Sequence, residues 1–502
     1  MVKRLSIRTT KTASGATAVQ IVQYQKHKRI IIKHIGSAGT DEERAVLLDV
    51  AKSYLVEHAE QQPLFMPKKP LRLLNLDHAR VDKITHSFAR KFLHDCAKKI
   101  GLNLKPLFTD LAIMRIIEPV SKLRTLELLL RYFDVQYSVW TYQSLKHFHK
   151  EKKAIEQVAY SAAKNLLNEQ FFLVLYDVTT LYFETHKDDD TVRRRGFSKD
   201  HKENQPQIVV GLLVTHSGFP LAHEVFHGKT FEGHTMLPML ESFATTHDVS
   251  VPIVVADAAM ISRDNMTKLQ AKEISYIVGA RLANSGTEMI EKISTALKAA
   301  NFSTVRIPSD LGDIVCDYSD KRYRKDKREM DKLVEKAKAL VQNGEAGRRA
   351  KYIQKDNKNK VSLNETLVEK NKLLLGIKGY CTNIPESTLS NEQIIAYYHD
   401  LWHVEQTFRM SKNDLETRPI FHYQEEAIRA HVLLCFVALM IGRFLEIETK
   451  LSLRSIKDLI WQVMDVHITD THNRKQHTLQ SSVAEVEHSP LGRLMQDNEK
   501  TH

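Results

Sequence analysis

Apolar and polar residues take turns along residues 1–35 at the two-residue period of strands, with TASGAT as a turn between them. From Asp41 to Glu60 the apolar positions recur every three or four residues, which predicts a helix. Residues 80–167 keep that helical period, with Gly101 and Pro119 as punctuation. The texture changes at FFLVLYDVTTLYFET. Residues 171–176 form the unbroken apolar run of a strand covered on both faces, ending on Asp177. QIVVGLLV (207–214), the turn THSGFP and LAHEVF (221–226) predict an antiparallel hairpin, followed by a helix from His234 to Ala244. A buried-type strand at 251–256 then delivers Asp257, Ser262 caps a helix running to Lys272, and SYIVGARL (275–282) supplies another strand.

The pattern breaks over residues 285–385 and returns to the core with the strand-like KLLLGIKGYCTNI (372–384). Ser390 and Gln393 have the form of a capping box, and Ile394, Tyr398, Leu401, Phe408 and Lys412 recur behind it at helical spacing. Glu405 falls on that same stripe. A glutamate aimed at a core is costly unless it faces a proton, a cation or a metal. Residues 424–448 read as a long core helix; its greasy run VLLCFVALMIG (432–442) is too short to span a bilayer, so no membrane is expected. The polar tail from about residue 470 is expected to be mobile.

Composition adds a partner. A chain of 502 residues with 42% hydrophobic and 27% charged residues is long enough for several globular domains, and its net charge of +12 favours a polyanion. Within residues 317–360, 15 Lys and Arg face 8 Asp and Glu, which makes that stretch a solvated basic helix face on the simplest reading. Four scattered cysteines form no CxxC pair, and the basic amino terminus lacks the apolar segment of a signal peptide, so a reducing, intracellular setting is expected.

Two aspartates at strand ends and a glutamate on a later helix suggest a site for hard divalent cations. Such ions prefer oxygen ligands and, as a pair, can activate an attacking oxygen and stabilise a leaving one. Each residue alone has a blander reading: a strand-end Asp is often a turn or helix cap, and Glu405 could pair with Arg409 or Lys412 on its own helix. Their joint occurrence, in order, is the signal.

The element order and the Asp, Asp, Glu succession resemble the ribonuclease H-like catalytic core of DDE transposases from bacterial insertion sequences. Residues 398–412 resemble the Y-x2-R-x3-E-x6-K signature of the cut-and-paste branch. Tyr398, Glu405 and Lys412 fall in register. Leu401 stands at the arginine position, with Arg409, one turn beyond Glu405, the candidate to replace it. The stretches YDVTTLYFE, GFSKDHKENQPQIVVGLLVTHSGFPLAHEVFHG, VVADAAMIS and RPIFHYQEEAIRAHVLLCFVALM extend the likeness over roughly residues 165–445.

The resemblance implies an α/β fold: a ribonuclease H-like mixed sheet with flanking helices, an inserted domain before the Glu helix, and a mostly helical amino-terminal region. The segments would be 1–165 (DNA-binding), 166–284 and 389–450 (the two parts of the core), 285–388 (insertion) and 451–502 (helix and tail). Asp177, Asp257 and Glu405 would bind two Mg²⁺ or Mn²⁺ ions; water would attack at the transposon end, and the freed 3′-hydroxyl would attack target DNA. Tyr398 and Lys412 would contact phosphates. The partners implied are double-stranded DNA, as terminal inverted repeats and target, and a second copy of the chain when DNA is bound, in a cytoplasmic, nucleoid-associated setting. A structure-specific nuclease without a joining step and an inactive DNA-binding relative are the alternatives.

Two stretches carry less. HEVFH (223–227) matches a zinc-protease pattern that works on a helix; in a strand, residues four apart stand about 13 Å from each other. RRRGFSK (193–199) is a solvated loop on the simple reading, or places Lys199 near DNA.

Overall fold

The computed structural model describes residues 5–25, 28–58, 78–138, 144–169, 171–184, 192–196, 204–249, 252–260, 262–297, 303–310, 312–343, 350–355, 361–471 and 474–499. The chain divides into two compact units, one of residues 1–83 with 467–478, the other of 84–466 with 479–502. This division differs from the expected segments: the helices after residue 84 belong to the same unit as the large sheet.

In the first unit, β1 (Leu5–Lys11), β2 (Thr17–Gln25) and β3 (Lys28–Ala38) form an antiparallel sheet. Helix α1 (Asp41–Glu57) closes on it through Val19, Ile21 and Ala51, all fully buried. Thr40 and Glu43 make the reciprocal capping box that opens α1. Strand β4 (Ala79–Thr85) leads out of this unit.

The second unit begins with α2 (Ser87–Ile100), α3 (Pro106–Ile117), α4 (Lys122–Phe133) and α5 (Lys152–Asn165). Strands β5 (Leu173–Tyr182), β6 (Gln207–Val214) and β7 (Pro220–His227) follow, then α6 (Met236–His247), β8 (Ile253–Ala256), α7 (Arg263–Ala271) and β9 (Tyr276–Ala280). Helix α8 (Thr287–Leu297), β10 (Thr304–Ser309), β11 (Gly312–Tyr318), α9 (Asp320–Gln342), the short pair β12 (Ile353–Lys355) and β13 (Val361–Leu363), α10 (Glu365–Lys372) and β14 (Ile377–Thr382) come next. The eight-stranded sheet has the order β10-β11-β14-β9-β8-β5-β6-β7; β8 runs parallel to β5 and β9, and every other pairing is antiparallel.

Two expectations change here, and that of a strand at HEVFH holds. Asp177 sits within β5, not at its end, because Val178, Thr179, Thr180 and Leu181 remain buried and continue the strand. The inserted segment is not wholly separate: β10 and β11 join the main sheet through β14, and only its basic helix α9 with α10 builds a small core of its own around Met330, Ala337, Tyr352 and Val368. HEVFH lies in β7, with His223 buried against Glu156.

Helices α11 (Asn391–His399), α12 (Trp402–Arg409), α13 (Glu425–Thr449) and α14 (Leu453–Trp461) complete the core, before β15 (Asp465–Asp470) and β16 (Gln476–Gln480), which form a sheet of order β16-β15-β4. Helix α13 is longer than its greasy run and, by length and composition, could cross a membrane, yet 89% of its most apolar window is buried inside the protein. It is a core helix. The tail is not uniformly loose: α15 (Ala484–His488) and α16 (Leu491–Glu499) bury Val486, Leu491 and Leu494, enough apolar area to order a polar segment.

One buried cation ties α4 to α13 and the segment preceding it. Lys122 donates to His422 Nε2 at 2.6 Å and His431 Nδ1 at 2.9 Å, and burial, reinforced by the charge of Arg115, pulls its pKa down to about 7. Unfolded lysine titrates near 10.5. The folded chain therefore binds fewer protons between those values, so stability rises with pH across that window and the full penalty is felt below it. Lys122→Met should flatten the rise between about pH 7 and pH 9 in denaturant midpoints measured against pH; an unchanged slope would show that another group sets it.

Candidate active site

Strand β5 is apolar on both faces because it is central, and its register against β8 pairs Tyr176 with Ala256. The next residue after each is an aspartate. Asp177 lies within β5 and Asp257 just past the end of β8, each following the last paired residues of two strands about 4.8 Å apart. Each carboxylate turns back on the following peptide: Asp177 Oδ1 accepts from the Val178 amide and Asp257 Oδ1 from the Ala258 amide, both at 2.7 Å.

The third acid comes from a broken helix. Ser390 and Gln393 form the predicted capping box, but α11 ends at His399, and tight turns at Asp400 and Leu401 intervene before α12. Ile394, Tyr398, Leu401 and Phe408 are buried as the stripe predicts; Glu405 is exposed. Glu405 therefore faces the solvent side of a helix packed on β5 and β6 rather than the core.

Tyr398 touches one of these acids directly. Its hydroxyl donates to Asp257 Oδ1 at 3.1 Å. Its pKa is raised, first by burial, then by the charge and hydrogen bond of Asp257, and further by the charges of Glu405 and Asp177. Gly279 of β9 makes room for the phenol, since a Cβ there would stand 2.5 Å from the Tyr398 hydroxyl.

A residue that sequence reasoning missed completes this rim. Lys378 of β14 holds its ammonium 4.5 Å from the centre of the Tyr398 ring and 5.7 Å from that of Tyr380. Asp317, its partner across the strands, is engaged by Arg322 and by the Tyr380 hydroxyl. Burial lowers the Lys378 pKa, with Arg322 adding to the effect, while Asp317, Asp257 and Glu405 oppose it. The available signal was a lone lysine inside the apolar run LLLGIKGYCT.

The remaining expected residues are less central. Arg409 ends α12, exposed. Lys412 lies in a π-turn, Met410–Asp414, partly buried. Leu401 is buried, so its position offers no cation to a ligand. Lys199 falls outside the described residues.

Among the described residues, no three His, Cys, Asp or Glu side chains stand close enough to hold a metal ion as they are. The donor chemistry nevertheless suits a hard divalent cation: the groups are all oxygen, and two of the carboxylates follow directly on the paired residues of adjacent strands. Closing the set requires Glu405 to turn inward.

A family model for the transposase DDE domain matches residues 173–441, more than half of the chain. No curated protein matches. Among solved structures, the cryo-EM structure of a piggyBac transposase synaptic complex with hairpin DNA aligns at 10% identity and a TM-score of 0.36, covering 84% of this chain and 77% of that one.

The fit of Tyr398 against Gly279 gives a direct test of the geometry. Gly279→Ala should cost about 1–3 kcal/mol by forcing the phenol aside. Tyr398→Phe, which keeps the ring and loses one hydrogen bond, should cost about 1 kcal/mol. Combined, the two should be less destabilising than their sum in urea unfolding; simple additivity would mean the hydroxyl is not over Gly279.

Proposed function

The chain belongs to the transposase DDE domain family, and on that premise we propose that it cuts DNA at transposon ends and joins the freed 3′-hydroxyl to target DNA. The observation that carries this reading is that Asp177 and Asp257 follow the last paired residues of two adjacent parallel strands, with the Tyr398 hydroxyl on Asp257 Oδ1 and Glu405 on the helix after it. The core is read as ribonuclease H-like; the sheet order β7-β6-β5-β8-β9, with only β5, β8 and β9 mutually parallel, supports that reading.

The residues divide the work by position. Asp177 and Asp257, fixed by strand pairing, would hold divalent cations, Mg²⁺ or Mn²⁺, and Glu405 would swing from α12 to complete the set. When bound, such ions supply activation of the attacking oxygen and offset charge on the phosphate. Tyr398 holds Asp257 in place and offers its hydroxyl at the rim. Lys378 supplies a cation over the ring of that tyrosine, suited to a phosphate oxygen of the strand being cut. It takes the part for which Leu401 has no charge, and it is nearer that phenol than the candidate Arg409, for which no contact with the acids is found among the described residues. Lys412 would contact the backbone further along. Double-stranded DNA is the expected partner, and joining two ends in concert implies two copies of the chain on DNA.

The test uses a duplex carrying the sequences that flank the coding region. Asp177→Ala, Asp257→Ala and Glu405→Ala should each lower Mg²⁺-dependent cleavage on the order of 10²–10³-fold or more while leaving DNA binding intact. Precut ends with free 3′-hydroxyls should still be joined to a target plasmid by the unaltered chain. A variant lacking any one acid that cuts normally would refute the assignment, and cutting without joining would make the protein a nuclease.

A further inference from the structure

Beyond the Glu405 helix, the chain runs beside the far end of β5. Ile420 bridges Phe183 in parallel, and its amide donates to the Tyr182 carbonyl at 3.2 Å. Residues 420–423 then alternate as a strand does. Ile420 is buried with Leu181, Phe183, Val192, Ile428 and Val432, and His422 turns inward to Lys122. Phe421 and Tyr423 point the other way, 62% and 68% exposed.

This segment is pinned from within at several points. Besides Lys122 on His422, the His431 imidazole bonds the Thr417 carbonyl at 2.9 Å, and Arg115 reaches the Glu416 carbonyl at 3.4 Å. The chain therefore holds two large rings in water on a backbone fastened from behind, the opposite of what burial of apolar surface favours.

The surroundings indicate what covers them. The half-buried Arg418 guanidinium lies 5.6 Å from the centre of the Tyr182 ring, and the Arg193 guanidinium, itself buried, backs the Tyr423 ring at 5.1 Å and the Phe183 ring at 5.6 Å. Aromatic faces interleaved with guanidinium groups suit a ligand that carries both flat rings and negative charge. Residues two apart on one face of a strand are about 6.7 Å from each other, twice the roughly 3.4 Å rise of stacked bases. The patch also shares β5 with Asp177, at about 17–20 Å along the strand, or five to six base steps.

We propose that Phe421 and Tyr423, the latter backed by the buried Arg193 and with Arg418 at the same strand end, form a stacking platform for unpaired bases of the DNA strand leading to the acid rim. The proposal rests on the transposase reading for the identity of the strand, but not for the binding itself. Stacking on an aromatic face tolerates any base, so the platform grips single-stranded DNA without reading its sequence.

The test separates base stacking from phosphate binding and from cutting. Binding of the full chain to fluorescein-labelled oligo-dT of about twenty nucleotides, and to a duplex of equal length, is measured by anisotropy in EDTA. F421A/Y423A should weaken oligo-dT binding about tenfold or more and alter duplex binding less than about twofold; F421W/Y423W should retain both. Thermal melting checks each fold, and the tryptophan pair serves should the alanine pair not fold, since a pair that folds yet loses oligo-dT binding counts against the platform. Unchanged oligo-dT binding in F421A/Y423A, no oligo-dT binding by the unaltered chain, or equal losses on both probes would overturn the proposal. None of these results bears on metal-dependent cleavage, which is read separately.

Discussion

Parallel pairing of β5 with β8 anchors two acids at once: with Tyr176 opposite Ala256, Asp177 and Asp257 each follow directly on the last paired residues. That pairing depends in turn on both strands being apolar enough to sit in the middle of the sheet, where helices cover each face. Two carboxylates on neighbouring strands are a poor arrangement for stability alone, since they repel unless a cation intervenes. The fold tolerates it because each one borrows the amide that follows it, and Asp257 a phenol as well. Glu405 sits on a separate element with a freer side chain, so the site combines a rigid half and an adjustable half.

Much of this was legible in the sequence. The buried runs at 171–176 and 251–256 announced central strands, the QIVVGLLV and LAHEVF pair announced a hairpin, and the Ser390 capping box located the helix start. What stayed hidden depends on long-range packing. Periodicity extends a helix until a breaker appears, and nothing in YHDLWHVEQ is one, so the turn at Asp400 and Leu401 and the outward aim of Glu405 could not be read. Lys378 escaped because its role comes from a strand pairing a hundred residues away from Tyr276–Ala280. The ordered tail escaped because Val486, Leu491 and Leu494 are too few to make a period, yet enough to pack.

The inserted segment shows the same division. Its charge was visible and its helix α9 follows from that composition, but strands β10 and β11 reach the main sheet only through β14, a connection no local pattern announces. A consequence is mechanical: the strand that carries Lys378 is coupled on one side to the basic insertion and on the other to β9, against which Tyr398 rests. The helix α11 that carries Tyr398 also packs directly on β10 and β11, so the inserted strands lie against the same element.

The account depends on Glu405 turning inward to join two aspartates that are already placed. Crystals grown with Mn²⁺ and measured at its absorption edge test this most directly. An anomalous peak bounded by the Asp177, Asp257 and Glu405 carboxylates is the expected result, whereas saturating Mn²⁺ with Glu405 still facing solvent and no peak between the aspartates would contradict it.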